Sequence, residues 1–186
     1  MDLSAAEPPA DPAEWRYKWG ASLYGDPCRE CGFRWSRTPH QAVGLVHEIP
    51  RLFADELTDA TGRERHAKLA WTPTGYVCHV TDNLRIWAEA LVGARVAGKT
   101  QFPGYEPDLL AGARNYDEVP LAGALWSLTW AVRAWEEELV QSLSESVHLQ
   151  HPTRGVLRAE DVAGNNAHDA YHHVWDVDRI ITAAQG

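Results

Sequence analysis

Residues 121–135 read Leu121-Ala122-Gly123-Ala124-Leu125-Trp126-Ser127-Leu128-Thr129-Trp130-Ala131-Val132-Arg133-Ala134-Trp135, and the pattern runs on through Leu139 and Leu143. Leu121, Leu125, Leu128, Val132, Trp135, Leu139 and Leu143 recur every three or four positions, which lines them along one face of a helix. So long an apolar face has to be buried against other helices. The pattern therefore predicts a core helix over about residues 120–144.

Three more segments share this periodicity. Thr72-Pro73 offers a cap followed by a residue suited to the first helical turn. It opens a stripe of Val77, Val80, Leu84, Trp87 and Leu91, with Gly93 or Gly98 as the stop. Ala42, Leu45, Ile49, Leu52 and Phe53 mark a helix over about residues 39–59, which Pro50 is expected to bend. Ala167, Ala170, Val174, Val177 and Ile181 mark a last one over about residues 158–184. No strand-period segment competes. Residues 98–119, with Pro103, Gly104, Pro107 and Gly112, predict a long surface connection, and residues 151–155 a second one. The expected fold is all-α: an antiparallel four-helix bundle over residues 39–186, an architecture that builds metal sites from inward side chains. Residues 1–38 are expected to stand apart from it. Pro8, Pro9 and Pro12 predict a loose tail over residues 1–14. An irregular lid follows, in which Trp15, Trp19, Tyr24, Phe33 and Trp35 pin the Cys28-x-x-Cys31 pair onto the bundle.

With 186 residues the chain suits one domain. Its 17 basic and 26 acidic residues give a net charge of -9, which repels phosphate backbones and anionic lipid. Neither nucleic acid nor a membrane is an expected partner. The longest stretch without a charged residue is 14 residues, 119–132, short of the roughly 20 that span a bilayer. An acidic first segment without an apolar core and only three cysteines predict a cytoplasmic location. A small-molecule substrate is the expected partner, with a homodimer as a candidate assembly. No glycine-rich phosphate loop and no serine nucleophile elbow is present.

Three of the nine histidines fall within six positions, His168, His172 and His173. Residues four apart share a helix face, so His168 pairs with His172, and Asp169 with His173 on the neighbouring stripe. Either pair can grip a divalent ion, zinc first, with nickel, iron or manganese also suited to such donors. A third ligand is needed, and His79, beside Val80 of the core stripe, supplies it. Cys28-Arg29-Glu30-Cys31-Gly32-Phe33 looks like one knuckle of a zinc ribbon. Because a closed zinc site needs four ligands, a second site of Cys28, Cys31, Cys78 and one of His168 or His172 is a candidate. A reduced or redox-active pair is the alternative.

The segment from Trp71-Thr72-Pro73 through Cys78-His79-Val80-Thr81-Asp82, followed far downstream by His168-Asp169-x-x-His172-His173-x-x-Asp176-Val177, resembles the DinB/YfiT-like metalloenzyme superfamily over roughly residues 40–184. The resemblance implies a four-helix bundle holding a divalent metal through one histidine of the second helix and a histidine or acidic pair of the last. It implies His79, Asp169 and His173 as ligands, because Asp176 stands three after His173, where the superfamily commonly has Gln or Asp. His168 and His172 are alternates with Trp175 at that place. The superfamily includes mycothiol-dependent maleylpyruvate isomerases and bacillithiol or mycothiol S-transferases. The implied activity is a metal-dependent S-transferase, isomerase or hydrolase that activates a low-molecular-weight thiol, mycothiol-like, or water for transfer to a small electrophile. Asp82, Asn83, Asn165 and Asn166 are the polar residues expected beside such a site. A non-catalytic metal-binding or redox module is the competing expectation.

Overall fold

Two of the long helices start at a Thr-Pro pair that the sequence offers as a first-turn signal. The computed structural model describes residues 19–185; the tail expected over residues 1–14, and Trp15, lie outside them. After the short α1 (Ala21–Tyr24), α2 (Pro39–Glu56) opens on a closed capping box. The Thr38 hydroxyl accepts from the Gln41 backbone N–H at 3.2 Å, and the Gln41 side chain accepts from the Thr38 N–H at 2.9 Å. Helix α3 (Pro73–Ala97) is capped by the Thr72 hydroxyl and ends at Gly98, which takes the left-handed conformation. Helices α4 (Pro107–Ala113), α5 (Leu121–Ser144) and α6 (Ala159–Gln185) complete the set.

The inward faces follow the sequence stripes with small rotations. Val77, Val80, Leu84, Trp87 and Leu91 of α3 are all buried, as are Leu128, Val132, Trp135 and Leu139 of α5. Leu121, Leu125 and Leu143 sit half-buried at the margin of α5, whose inner face is completed by Ala124 and Ala131. On α6 the last inward residue is Ile180, not Ile181, and on α2 Val46 is fully buried while Leu45 and Leu52 pack from the side. At 3.6 residues per turn a stripe drifts around a long helix, so its ends slip off a fixed face.

Side-chain pairs fix the helix directions. His79 and Asn83 of α3 meet His173 and Asp169 of α6 in reverse order, so these helices run antiparallel. Cys78 and Ala124 share a cavity near the starts of α3 and α5, and Arg95 meets Glu138 near their ends, so these two run parallel. Asp55 and Glu56 share a groove with Asp178 and Thr182, so α2 and α6 are parallel too. The bundle is thus a pair, α2 and α6, set antiparallel to a pair, α3 and α5. Helix α2 packs on α6 and α5, and α3 packs on α5 and α6, which leaves α2 and α3 on a diagonal.

Two parallel neighbours demand a connection that travels back along the bundle. Residues 98–120 do so, and contain α4 and the 3-10 turn Tyr116–Glu118 rather than irregular loop alone. Between α5 and α6 lies an element the sequence reading did not expect. Strands β1 (His148–His151) and β2 (Gly155–Arg158) form an antiparallel hairpin, with Leu149 opposite Leu157 and both buried. Gln101 joins its edge: the Gln150 N–H donates to the Thr100 carbonyl at 2.8 Å, and the Phe102 N–H to the Gln150 carbonyl at 2.9 Å.

Candidate metal centre

On α3, His79 sits one position before the buried Val80 and is itself buried, facing α6 across the antiparallel contact. On α6, Asp169 and His173 lie one turn apart and face it. One donor atom from each of the three lies within 4.8 Å of the others. His79 Nε2 is 3.6 Å from Asp169 Oδ2, and His173 Nε2 is 3.7 Å from Asp169 Oδ1. Both separations are too long for hydrogen bonds. With one donor atom of each side chain within 4.8 Å of the other two, the spacing leaves room between them for a divalent ion. The donor set of two imidazoles and one carboxylate fits a divalent cation with a position left open.

The three side chains are held from behind. Asn83 donates through Nδ2 to Asp169 Oδ2 at 2.7 Å, and its own Oδ1 accepts from the Tyr105 hydroxyl at 2.8 Å. Asp176, 4% exposed, accepts from His173 Nδ1 at 3.0 Å. A carboxylate only accepts, so Nδ1 carries the proton and Nε2 keeps its lone pair. Arg179 donates to the other Asp176 oxygen at 3.2 Å. Burial raises the cost of ionising Asp169, but His79, His173 and the Asn83 amide outweigh it and hold its carboxyl below the usual range. The Trp71 ring lies 4.8 Å from that of His79, and Tyr76 lies 5.0 Å from that of His173.

A cavity of about 610 Å³ opens onto this trio. Its walls are Trp87 and Asn165 of the bundle, Phe102 and Tyr105 of the long connection, and His151 and Arg154 of the hairpin. His151 stacks on Phe102 at 5.3 Å. Burial, then the charge of Arg154, lowers its imidazole from 6.5 to about 4. Burial, then the nearby Asp169, pushes the Tyr105 hydroxyl well above its ordinary value, so it stays protonated as a donor. Tyr105, Phe102 and Arg154 had no role in the sequence reading: they sit in connections whose periodicity says nothing about where they point.

The remaining site residues separate into two places. His168 and His172 lie on the next stripe of α6 and gather with Cys28 and Cys31, one donor atom from each within 4.8 Å of the others. They thus sit in a cluster of their own, apart from His79. Cys78 does not join them. It lines a different cavity, of about 280 Å³, with Asp82, Arg114 and Tyr116. Burial and then Asp82 push its thiol up to about 12. It entered the candidate set as the chain's third thiol, but it stands about 100° around α3 from His79 and faces other elements. Of the polar residues expected beside the site, Asn83 and Asn165 are there, whereas Asp82 accepts from Tyr116 and Arg114 and Asn166 accepts from Trp135 Nε1 at 2.9 Å.

No family model matches the sequence, and no curated protein matches it significantly. A solved structure does resemble the fold: YfiT from Bacillus subtilis, described as a probable metal-dependent hydrolase with an unusual four-helix bundle topology. The identity is 15%, the superposition covers 80% of this chain and 87% of that one, and the TM-score is 0.66. The chain therefore has the YfiT-type four-helix bundle fold.

Proposed function

We propose that the chain is a divalent-metal enzyme in which His79, Asp169 and His173 hold the ion and the adjoining cavity receives a small electrophilic substrate. The observation that carries this reading is the convergence of two imidazoles and one carboxylate, from two helices, on the mouth of a cavity of about 610 Å³. A cavity of this size lies in the range of small-molecule sites. A divalent cation with an open position lowers the pKa of a bound water or thiol and so supplies a nucleophile at neutral pH. The chain's own residues set the stage for it. Asp176 keeps the His173 lone pair on Nε2, Asn83 fixes one oxygen of Asp169, and Tyr105 fixes Asn83. Trp71 packs against the His79 ring, and Arg154 gives the cavity lining a positive charge suited to an anionic substrate group.

Hydrolysis, with water as the nucleophile, is the reading favoured by the fold shared with a protein described as a probable metal-dependent hydrolase. Transfer of a low-molecular-weight thiol, mycothiol-like, is the second reading. The cavity volume supports it, since water and a small electrophile would leave much of about 610 Å³ unfilled. Zinc suits the donor set best, with nickel, iron and manganese as the next choices.

The test strips the protein with a chelator, restores single metals, and assays two panels. One is activated esters and amides; the other is monochlorobimane with mycothiol, bacillithiol, glutathione or cysteine. Metal-dependent turnover that His79→Ala abolishes supports the enzyme, and the active panel chooses the nucleophile. Bound metal without turnover in either panel replaces this reading with a non-catalytic metal-binding module.

A further inference from the structure

We propose that Cys28, Cys31, His168 and His172 form a closed zinc site, independent of the first, that staples the segment before α2 onto α6. The four donors come from a turn and a helix far apart in sequence, yet one atom from each lies within 4.8 Å of the others. Two thiolates and two imidazoles in this spacing are the donor set of a structural zinc, which fills all four positions and leaves none for substrate.

Unpartnered atoms point to the ion. His168 is 5% exposed, and among the described residues its Nε2 has no hydrogen-bond partner; His172 Nδ1 is likewise buried and without one among them. Leaving such atoms unsatisfied costs stability, and the described residues around them offer no other partner. The Tyr24 and Trp35 rings each lie 4.6 Å from the His168 ring and Phe33 lies at 5.3 Å, so the site is walled by aromatics. The other nitrogen of His172, Nε2, lies 3.4 Å from a Glu30 carboxylate oxygen and 3.8 Å from Asp176. A carboxylate behind a ligating imidazole is the usual orienting partner, and here the Cys-x-x-Cys turn brings its own.

The turn itself is shaped in advance. The Cys28 N–H donates to the Phe33 carbonyl at 2.7 Å, and the Gly32 N–H to the Cys28 carbonyl at 3.0 Å. Gly32 has φ +73°, a left-handed conformation that glycine adopts without cost. Cys28, 3% exposed, and Cys31 thereby face α6 together. The sequence pattern suggested the knuckle. It offered Cys78 and one of His168 or His172 to close the site; the structure brings both histidines to the turn and leaves Cys78 in another cavity.

The experiment uses full-length protein carrying His79→Ala and His173→Ala, so that metal at the first centre cannot contribute. Elemental analysis and zinc-edge X-ray absorption are read together. One zinc per chain, resistant to dialysis against chelator, with two sulfurs at about 2.3 Å and two nitrogens at about 2.0 Å, is the expected result. Cys28→Ser should cut the count to at most one sulfur or lose the zinc altogether. Should that variant fail to fold, mercurial titration of the zinc-loaded parent protein gives the same answer by releasing one zinc as two thiols react. A zinc with only nitrogen and oxygen neighbours overturns the proposal. So does a metal-free protein whose two cysteines react freely, and so does a Cys28–Cys31 disulfide in the freshly purified chain.

Discussion

Removing the Asp176 carboxylate tests whether the centre is held from behind in the way its geometry says. Asp176 is 4% exposed and accepts from His173 Nδ1 at 3.0 Å and from Arg179 at 3.2 Å. Hydrogen bonds to a charged group contribute about 1.5–3 kcal/mol, roughly twice a neutral one. Asp176→Asn keeps the shape and one acceptor but loses the charge, so it should cost about 1 kcal/mol of metal binding, roughly fivefold in Kd. Asp176→Ala loses the whole bond and frees the His173 ring to turn. Its cost of about 1.5–3 kcal/mol corresponds to roughly 10- to 100-fold, the range found for outer carboxylates at other metal sites. The assay is competition for the exchangeable metal with a fluorescent chelator at fixed pH and ionic strength, in the order wild type, Asn, Ala. If Asp176→Ala binds within twofold of wild type while His173→Ala does not bind at all, the carboxylate does not orient the ligand and the reasoning fails.

The two stripes of α6 should separate cleanly: His79→Ala or His173→Ala should abolish the exchangeable metal, Asp169→Ala should weaken it, and His168→Ala should spare it, all by the same competition assay. Loss in His168→Ala with none in Asp169→Ala would mean the stripes are misassigned. Gly62 has φ +78°, and a Cβ there would strike Thr74 Oγ1 and lie 3.2 Å from Leu121, whereas Gly98 at φ +64° has open space around it. Gly98→Ala should cost about 1–2 kcal/mol for the left-handed backbone alone, and Gly62→Ala about 1–3 kcal/mol more for overpacking; equal urea midpoints would refute the packing argument. His151 is depressed from 6.5 to about 4, so the unfolded chain takes up its proton first. Stability is then lost as pH falls from about 6.5 and the loss is complete below about 4. His151→Phe, which keeps an aromatic ring against Phe102, should lose less stability across that window in urea melts at stepped pH; parallel curves for the two proteins would contradict it.

What the sequence made legible is what periodicity encodes. The stripes of α3 and α5 could be read because a buried helical face repeats every three or four residues regardless of its neighbours. The hairpin could not, because its strands are four residues each and period-2 alternation over so short a stretch is outweighed by chance. His148-Leu149-Gln150-His151 and Gly155-Val156-Leu157-Arg158, around Thr153 and Arg154, hold the only signal. At the centre, the stripes of Asp169 with His173 and His168 with His172 looked like competing registers of one site. They are 100° apart on α6, so each meets a different neighbour, α3 on one side and the Cys28–Cys31 turn on the other. Sequence spacing fixes that angle but not the rotation of α6, and the rotation decides which stripe His79 sees.

The cavity beside the centre follows from topology rather than from any motif. Because α3 and α5 run parallel, the chain must return the length of the bundle between them, and the 25 residues of α3 span about 37 Å at 1.5 Å each. That return passes the mouth of the centre and leaves Phe102 and Tyr105 there. The hairpin before α6 is anchored to the same strip of chain through Gln150, with Thr100 and Phe102 as its hydrogen-bond partners, and so brings His151 and Arg154 to the cavity beside Phe102. An up-down-up-down bundle with short turns would hold the same three side chains and have neither wall. In the proposed enzyme, substrate selection is therefore expected to reside in residues 101–107 and 151–154, while the proposed ligands on α3 and α6 decide only that a metal is held. Exchanging residues 151–154 for an unrelated turn of equal length should leave metal affinity unchanged and alter which substrates turn over; a parallel loss of metal would mean that the hairpin supports the centre itself.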